Sequence, residues 1–443
     1  MSTEEHHCDV AVIGGGPAGS TAATLLAEKG WQVAQFEKAS HPRFHIGEWL
    51  LPMNLPILER LGVLDRVAEL GVYKPGGEFY DSAYGDQGSK FDFGEQIDKT
   101  WPHAYQIKRE DFDKVLFDNA GSRGVMIHDQ TRVLGVDWDA PDRARLTVNG
   151  ADGETREWTA RFVVDASGRD TLLGRKFGIK AKNPRHASAA LFGHFNGVER
   201  HPGEDAGLVS VYWFEHGWFW VIPLRDDITS VGAVCDPGYL KQRRNSPEEF
   251  LQQTIELAPE SLRRRMAGAE RIGSIQATGN FSYGCSRMYG PGYVLVGDAF
   301  AFVDPVFSSG VYLGMSSAER AVDYVDAELR GASNAAALRK RFVTGTRHGI
   351  KTFSWMINRF NSPSMKRMLM APGNPLRVRD AIVSLLCGDF HRRNGVMWRF
   401  QLFKFFYYFV AAKHLGETFA EYKRRRARVK AGFQGDTIQT DAG

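Results

Sequence analysis

Residues 8–20 read CDVAVIGGGPAGS, and this stretch decides the fold. An apolar run ends at Ile13, glycines follow at 14, 15, 16 and 19, and helical spacing of small apolar residues begins at Ala18. The next apolar run, 31–36, ends in Glu37. Strand, glycine turn, helix, strand and terminal carboxylate form the βαβ unit that holds a pyrophosphate on a helix N-terminus. The carboxylate then accepts from ribose hydroxyls, so we predict a dinucleotide-binding module.

Composition excludes several classes of protein. The 443 residues are 43% hydrophobic and 24% charged, which is typical of a soluble globular chain, and a net charge of +4 gives no reason to expect a nucleic-acid partner. The four cysteines are too widely spaced to predict a metal site or a disulfide. We find no basic segment followed by an apolar stretch at the N-terminus and no window of about 20 apolar residues, so we expect a cytoplasmic protein without a transmembrane segment.

Two later motifs indicate which dinucleotide is bound. Gly297-Asp298-Ala299 follows an apolar run, and Asp165 to Arg169 ends another. They resemble the ribityl-binding and middle motifs of glutathione-reductase-type flavoproteins and their aromatic-hydroxylase relatives, in which an arginine often stands where Arg109 does. The resemblance implies FAD. Asp298 as a strand-end helix cap and Arg109 as a surface residue at a helix start remain the alternatives.

The domain organisation follows from the order of these motifs. We predict an α/β fold: a glutathione-reductase-type FAD-binding Rossmann fold with an inserted, mostly antiparallel β-sheet substrate module and a helical C-terminal cap. The expected segments are the first part of the FAD-binding module (1–182), the substrate-binding sheet (183–276), the return to the FAD-binding module (277–330) and a helical region (331–443).

Trp218-Phe219-Trp220-Val221-Ile222-Pro223 matches a W-x-W-x-I-P signature at every fixed position. This pattern resembles that of the flavin-dependent halogenases, where Trp218, Trp220, Ile222 and Pro223 would keep the organic substrate away from the flavin. Two tryptophans at alternate positions of a strand are also typical of core packing.

Three further segments resemble the same family. Residues 43–48, RFHIGE, match the segment that lies along the flavin, although Glu48 is also an ordinary helix-start residue. Phe302, Pro305, Ser308 and Gly310 match an F-x-x-P-x-x-S-x-G loop of phenol- and pyrrole-type halogenases, in which the N–H groups of Ser309 and Gly310 would hold the halide. The resemblance implies FAD contacts from Gly14, Gly16, Ala18, Gly19, Glu37, Arg43, Gly47, Glu48, Arg109, Asp298, Pro305 and Gly310.

Lys74, in Tyr-Lys-Pro-Gly-Gly, stands where the family has its catalytic lysine. The alternative is an ordinary turn residue. One departure matters: tryptophan halogenases have a glutamate just before the loop serine, whereas this chain has Phe307, which argues against free tryptophan as the substrate.

The resemblance also implies a reaction. A separate NAD(P)H-dependent flavin reductase would supply FADH₂, and O₂ would give a C4a-hydroperoxyflavin that oxidises chloride or bromide. Lys74 would then guide the hypohalous acid to a phenolic or pyrrolic ring, free or tethered to a carrier protein. The residues do not decide whether the protein forms a homodimer, which acceptor it uses, or whether it prefers chloride or bromide.

Two other functions stay open. A flavin monooxygenase, or an FAD oxidoreductase resembling geranylgeranyl reductase, would reduce its flavin with NAD(P)H by itself and ignore halide. A flavin-binding protein without chemistry would give no product. Finally, the basic run Lys423, Arg424, Arg425, Arg426, Arg428 and Lys430 suits either a solvated helix end or an acidic carrier protein.

Overall fold

The computed structural model describes residues 6–85, 87–183, 188–241, 243–279, 282–371, 373–392, 395–420 and 423–424. The chain divides into two compact units. Unit 1 comprises Met1–Leu70, Ile107–Lys182 and Tyr283–Phe353. Unit 2 comprises Gly71–Gln106, Asn183–Ser282 and Ser354–Gly443.

The strands in chain order are β1 His6–Ile13, β2 Val33–Phe36, β3 Val72–Lys74, β4 Gly76–Asp81, β5 Ser89–Asp92, β6 Ala104–Gln106, β7 Met126–His128, β8 Arg132–Ala140, β9 Arg143–Asn149, β10 Thr155–Asp165, β11 Lys180–Lys182, β12 Ala189–Asn196, β13 Val209–Phe214, β14 Gly217–Pro223, β15 Thr229–Cys235, β16 Glu270–Gly279, β17 Tyr283–Cys285, β18 Tyr289–Gly290, β19 Tyr293–Leu295 and β20 Ala301–Phe302. The helices are α1 Pro17–Glu28, α2 Leu55–Arg60, α3 Leu64–Leu70, α4 Arg109–Ser122, α5 Leu172–Lys176, α6 Pro237–Leu240, α7 Pro247–Glu256, α8 Glu260–Arg265, α9 Ser309–Leu329, α10 Ala335–Ile357, α11 Pro363–Met370, α12 Val378–Leu386 and α13 Val396–Lys413.

Unit 1 is built on a sheet in the order β18-β19-β10-β1-β2-β7, with β9 antiparallel to β10 and β8 paired to β9. Strand β1 pairs in parallel with both β10 and β2, and β19 pairs in parallel with β10. Residues 10–13 of β1 are buried, as expected for a central parallel strand covered on both faces. The predicted Rossmann frame is confirmed, and the carboxyl ends of β1, β2, β10 and β19 carry its motifs.

Unit 2 contains a seven-stranded sheet in the order β16-β12-β15-β14-β13-β4-β5. Every neighbouring pair is antiparallel except β4 with β13, so the prediction of a mostly antiparallel inserted sheet is confirmed. Residues 71–106, which the sequence boundaries left in the FAD-binding module, belong to this unit because Gly77 to Asp81 pair with Val209 to Trp213.

One face of this sheet packs on helices α7 and α8. Tyr212, Phe219 and Val221 join Phe250 and Leu262 in the same apolar cluster. Helices α11, α12 and α13 form the last part of the unit, in agreement with the predicted helical C-terminal region. In the basic run near the C-terminus, Lys423 and Arg424 are described, and the remaining basic residues lie outside the described residues. Over the described helices, none is long and apolar enough to cross a membrane.

Candidate functional site

The glycine turn of unit 1 has two kinds of glycine. A Cβ at Gly14 would lie 2.3 Å from the Ala166 carbonyl oxygen, and a Cβ at Gly19 would lie 2.0 Å from the Gly14 oxygen, so both are required for close packing of β1, α1 and β10. At Gly16 the nearest atom to an added Cβ is the Arg43 guanidinium at 3.7 Å. Protein packing therefore does not explain Gly16, whereas close approach of a ligand to the start of α1 does.

Glu37 is buried directly after β2. One carboxylate oxygen accepts from the Gly15 N–H at 2.7 Å, and the other accepts from the Ala39 N–H at 2.9 Å. Arg43 adds an ion pair at 3.3 Å. The Glu37 carboxylate is therefore held against the glycine turn, which is where a ribose would lie if a dinucleotide bound there.

Arg109 begins α4 and is buried, so the alternative of a surface helix-start residue is wrong. Its guanidinium donates to both oxygens of the fully buried Asp113, at 2.8 and 3.0 Å, and also to the Ile46 carbonyl at 2.9 Å. Asp113 holds the guanidinium in place, and the bond to Ile46 ties it to the segment that contains Gly47, whose φ is +111°. Asp113 was not predicted from the sequence, although its spacing of four residues from Arg109 on one helix was a usable signal.

The same charges act on two neighbouring groups. Burial, and then the positive charge of Arg109, lower the pKa of His45 to about 4, so this imidazole is neutral at neutral pH. Half-buried Asp298 follows β19, and desolvation raises its pKa to about 6 against the opposing attraction of Arg109 and Arg169. An aspartate that is poorly compensated by the protein suits a site where ligand hydroxyls donate to it.

The loop before α9 carries an unsatisfied polar group. Ser308 adopts the left-handed conformation with φ +45°, and α9 begins at Ser309. Among the described residues, the fully buried Ser309 hydroxyl has no hydrogen-bond partner, and an added Cβ at Gly310 would have no atom within 4 Å. A buried hydroxyl beside open space at a helix N-terminus suits a small anion. Phe307, the departure from tryptophan halogenases, is buried in the preceding turn.

In unit 2, Lys74 ends β3 and is 1% exposed. Its ammonium nitrogen lies 4.8 Å from the centre of the Phe93 ring, and Phe93 forms an apolar cluster with Ala104, Val383 and Cys387. Burial lowers the pKa of Lys74 well below its ordinary value, with the Cys387 thiol opposing this shift. Such surroundings favour the neutral amine, which has a lone pair available for an electrophile.

Trp218, Trp220 and Ile222 lie on the sheet face opposite to the helix-packed cluster, because alternate residues of β14 point to opposite sides. The two indole rings are 5.9 Å apart, and the Trp220 N–H donates to the Ser230 hydroxyl at 3.2 Å. A Cβ at the facing Gly232 would lie 2.3 Å from the Trp220 ring, so only glycine leaves room for this indole. Gly232 was also missed from the sequence.

The aromatic run 212–214 divides between the two faces. Trp213 pairs opposite Trp218 and lies on the tryptophan side, as does His194, which pairs opposite Ser230. Tyr212 is in the helix-packed core, where its hydroxyl accepts from Arg265 at 2.9 Å, and Phe214 packs against that core. Of the run, Trp213 alone shares a face with the tryptophan motif.

Comparison with known proteins decides the family. An FAD-binding-domain family model matches residues 7–341. A relative from Pseudomonas fluorescens Pf-5, named 1H-pyrrole-2-carbonyl-(peptidyl-carrier protein) chlorinase, is 31% identical over 410 residues, 87% of this chain and 90% of its own. The chain belongs to the flavin-dependent halogenases. FAD is the cofactor of this halogenase, and Gly16, Glu37 and Asp298 provide a site that fits it.

Two further similarities bear on what the halogenase acts on. A tryptophan 2-halogenase from Chondromyces crocatus is 34% identical over 334 residues, 74% of this chain and 63% of that relative. A solved structure named flavoprotein/dehydrogenase, from Cytophaga hutchinsonii, has a TM-score of 0.85 and 29% identity, covering 92% of this chain and all of that one. Overall similarity therefore identifies the family and the cofactor, and does not choose the acceptor.

Asp113→Asn tests the buried Arg109–Asp113 ion pair of the halogenase. Removing the charge leaves the buried Arg109 guanidinium without its carboxylate, and we expect a loss of about 3–5 kcal/mol of unfolding free energy together with weaker FAD binding. Denaturant unfolding and FAD titration measure both. Asp118→Asn, which breaks the exposed Lys114 pair on the same helix, should change stability by at most about 1 kcal/mol. Equal effects of the two variants would contradict the importance of the Arg109–Asp113 pair for stability and FAD binding.

Gly232→Ala tests the packing of the tryptophan face. The new methyl group must displace the Trp220 ring, so we expect a loss of about 1–3 kcal/mol and a shift in tryptophan fluorescence. Gly238→Ala is the matched control, because an added Cβ there meets no atom of the described residues within 4 Å. Unchanged stability in Gly232→Ala would show that Trp220 does not require the glycine.

Proposed function

We propose that this halogenase installs chloride or bromide on an electron-rich aromatic ring, phenolic or pyrrolic, with Lys74 guiding the halogenating species. The observation that carries the proposal is the Lys74 amine, buried among apolar side chains in the same unit as the Trp218 and Trp220 motif. A surface lysine would be protonated and solvated, whereas a desolvated lysine can act as a nucleophile.

Bound FAD, reduced by a separate NAD(P)H-dependent reductase, supplies with O₂ the oxidising equivalents for the halide. Glu37 and the Arg109–Asp113 pair orient the nucleotide side of the site. The N–H groups of Ser309 and Gly310, with the unpartnered Ser309 hydroxyl, hold the halide. The burial and hydrogen bonding of Glu37, Arg109 and Asp113, and the buried Ser309 hydroxyl, support these proposed roles.

Lys74 acts after hypohalous acid has formed. As a neutral amine it attacks the halogen, hydroxide leaves and takes the amine proton, and the products are a haloamine and water. As an ammonium it donates a hydrogen bond to the hypohalous oxygen. Either form places the halogen at one position, and holding one ring carbon near that position decides the regiochemistry.

The acceptor is an aromatic ring, either free or tethered to a carrier protein. Trp218 and Trp220 separate this ring from the flavin. Phe307, an apolar group in place of the glutamate of tryptophan halogenases, favours a phenol or pyrrole over free tryptophan. The similarity to a chlorinase that is named for a carrier-bound pyrrole supports testing tethered acceptors.

A second candidate function is flavin-dependent oxidation or reduction without halide. The solved structure named flavoprotein/dehydrogenase favours it, since that chain is similar over its whole length. This function predicts flavin reduction by NAD(P)H without a separate reductase, and products that do not depend on halide.

The deciding experiment supplies the protein with FAD, a separate flavin reductase, NADH, O₂ and bromide. Acceptors are phenols and pyrroles, free and as pantetheine or carrier-protein thioesters, and products are followed by mass spectrometry. We expect a brominated ring whose rate of formation falls about 100-fold or more in Lys74→Ala, because the halogenating species is no longer positioned. A hypohalite trap should show that Lys74→Ala still oxidises bromide.

Lys90→Ala is the matched control, since Lys90 is an exposed lysine of the same unit. It should leave the rate unchanged. Hydroxylated products, or NADPH oxidation without the reductase, would establish the second candidate function. Undiminished ring bromination in Lys74→Ala would remove the role assigned to the lysine.

Lys74 should also lower the stability of the fold. Because its pKa is lowered in the folded state, the unfolded chain binds more protons below pH 10, and stability is lost as the pH falls toward the folded pKa. We expect Lys74→Met to raise the free energy of unfolding at neutral pH. The gain should be largest at acidic pH and shrink toward pH 10. Thermal unfolding across this range measures it, and a gain that is independent of pH would contradict a desolvated amine.

A further inference from the structure

The C-terminal helical region presents a row of large apolar side chains to solvent. We call this row the outer face. Its members are between 52% and 67% exposed: Trp398, Phe405, Tyr408 and Phe409 of α13, with Leu415 and Phe419 just beyond it. Trp398, Phe405 and Phe409 are spaced by seven and four residues, which places them on one side of a helix. Such a concentration of exposed aromatic groups is unusual for a surface that faces water.

The outer face is not an incomplete part of the core. The opposite side of α13 carries Val396, Phe400, Phe403 and Tyr407, all buried. Phe400, Phe403 and Tyr407 make T-shaped contacts with the Trp355 ring, at centroid distances of 5.4, 6.3 and 5.4 Å. The helix therefore carries large apolar side chains on two opposite sides, one packed in unit 2 and the other exposed.

Basic residues lie beside the outer face. Lys413 is exposed at the end of α13, and the Lys423 amine lies 4.6 Å from the centre of the Phe419 ring. The Glu417 carboxylate is paired with Arg367 at 2.6 Å. Over residues 396–430 the sequence has two carboxylates, Glu417 and Glu421, against nine basic residues: Arg399, Lys404, Lys413, Lys423, Arg424, Arg425, Arg426, Arg428 and Lys430.

We propose that the outer face lies in the headgroup region of an anionic lipid bilayer. Exposed aromatic rings bordered by lysine and arginine form the combination that holds a helix in the membrane interface. An apolar face and a polybasic segment are also the two signals that together give stable peripheral binding. The helix lies on the membrane, in keeping with the absence of a membrane-crossing helix among the described residues.

Other occupants fit less well. If two copies of this chain paired their outer faces about a two-fold axis, the basic residues beside one face would lie against those of the other. An acidic protein would match the charge, and would need a large apolar surface of its own to cover six exposed apolar groups. Residues 425–443 contain Val429, Phe433 and Ile438 as their large apolar side chains, too few to cover the face. The membrane proposal is independent of the halogenation reaction.

Vesicle binding tests the proposal with the full chain loaded with FAD. Sedimentation with phosphatidylcholine vesicles is compared with vesicles that also contain phosphatidylglycerol. We expect strong binding to the anionic vesicles, weakened by salt. Phe405→Ser/Phe409→Ser should lower the partition coefficient about tenfold or more, because it removes the inserted rings. Lys423→Glu/Arg424→Glu should lower it by a similar factor on anionic vesicles only.

Leu134→Ser is the matched control, because Leu134 is 54% exposed on β8 in unit 1. It should bind vesicles like the parent, and FAD absorbance and thermal unfolding should show that all variants are folded. The proposal would be overturned if the protein bound neither kind of vesicle, or if Phe405→Ser/Phe409→Ser bound as strongly as the parent. A lipid-free dimer that this double variant converts to monomer would assign the face to a second copy. Loss of binding to an acidic carrier protein, with vesicle binding unchanged, would assign it to that partner.

Discussion

The contact between the Gly19 backbone and the Gly14 carbonyl is the constraint on which unit 1 depends. A Cβ at Gly19 would lie 2.0 Å from that oxygen, and one at Gly14 would meet the Ala166 carbonyl, so three backbone segments meet where no side chain fits. This approach brings the ends of β1 and β10 and the start of α1 together. The Glu37 carboxylate then accepts a hydrogen bond from the Gly15 N–H, so the glycine turn and the carboxylate together form a site for a nucleotide.

Charge is treated differently in the two units. In unit 1 the buried Arg109 has a bidentate carboxylate partner, and the pair stabilises a loop. In unit 2 Lys74 is buried with an aromatic ring and a thiol close by, and its pKa is lowered accordingly. The first arrangement is a buried ion pair, whereas the second favours a neutral amine. A protein that keeps a lysine in such surroundings gives up stability, which is typical of a group retained for reactivity.

Local patterns predicted much of this molecule. The glycine turn and Glu37 are close in sequence, so residues 8–37 sufficed to predict the Rossmann frame, and the period of two in residues 218–222 predicted a strand with both indoles on one face. Pairings between distant segments were not predictable. Strand β4 joins the inserted sheet beside β13, more than a hundred residues away, and nothing near Gly77 indicates that partner. The need for glycine at position 232 likewise becomes clear only from the structure, in which the Trp220 ring lies across it. The roles assigned to Lys74, Ser309 and the tryptophans stay predictions.

The sequence of α13 does not by itself separate a core helix from an interfacial one, because residues 400–412 are apolar nearly throughout and show no polar face. The structure assigns Phe400, Phe403 and Tyr407 to the core, which leaves Phe405 and Phe409 mostly exposed. Burying these rings inside unit 2 would require another layer of protein on that side of the helix. A lipid surface supplies the apolar phase without one, and the neighbouring lysines and arginines supply the attraction that brings the helix to it.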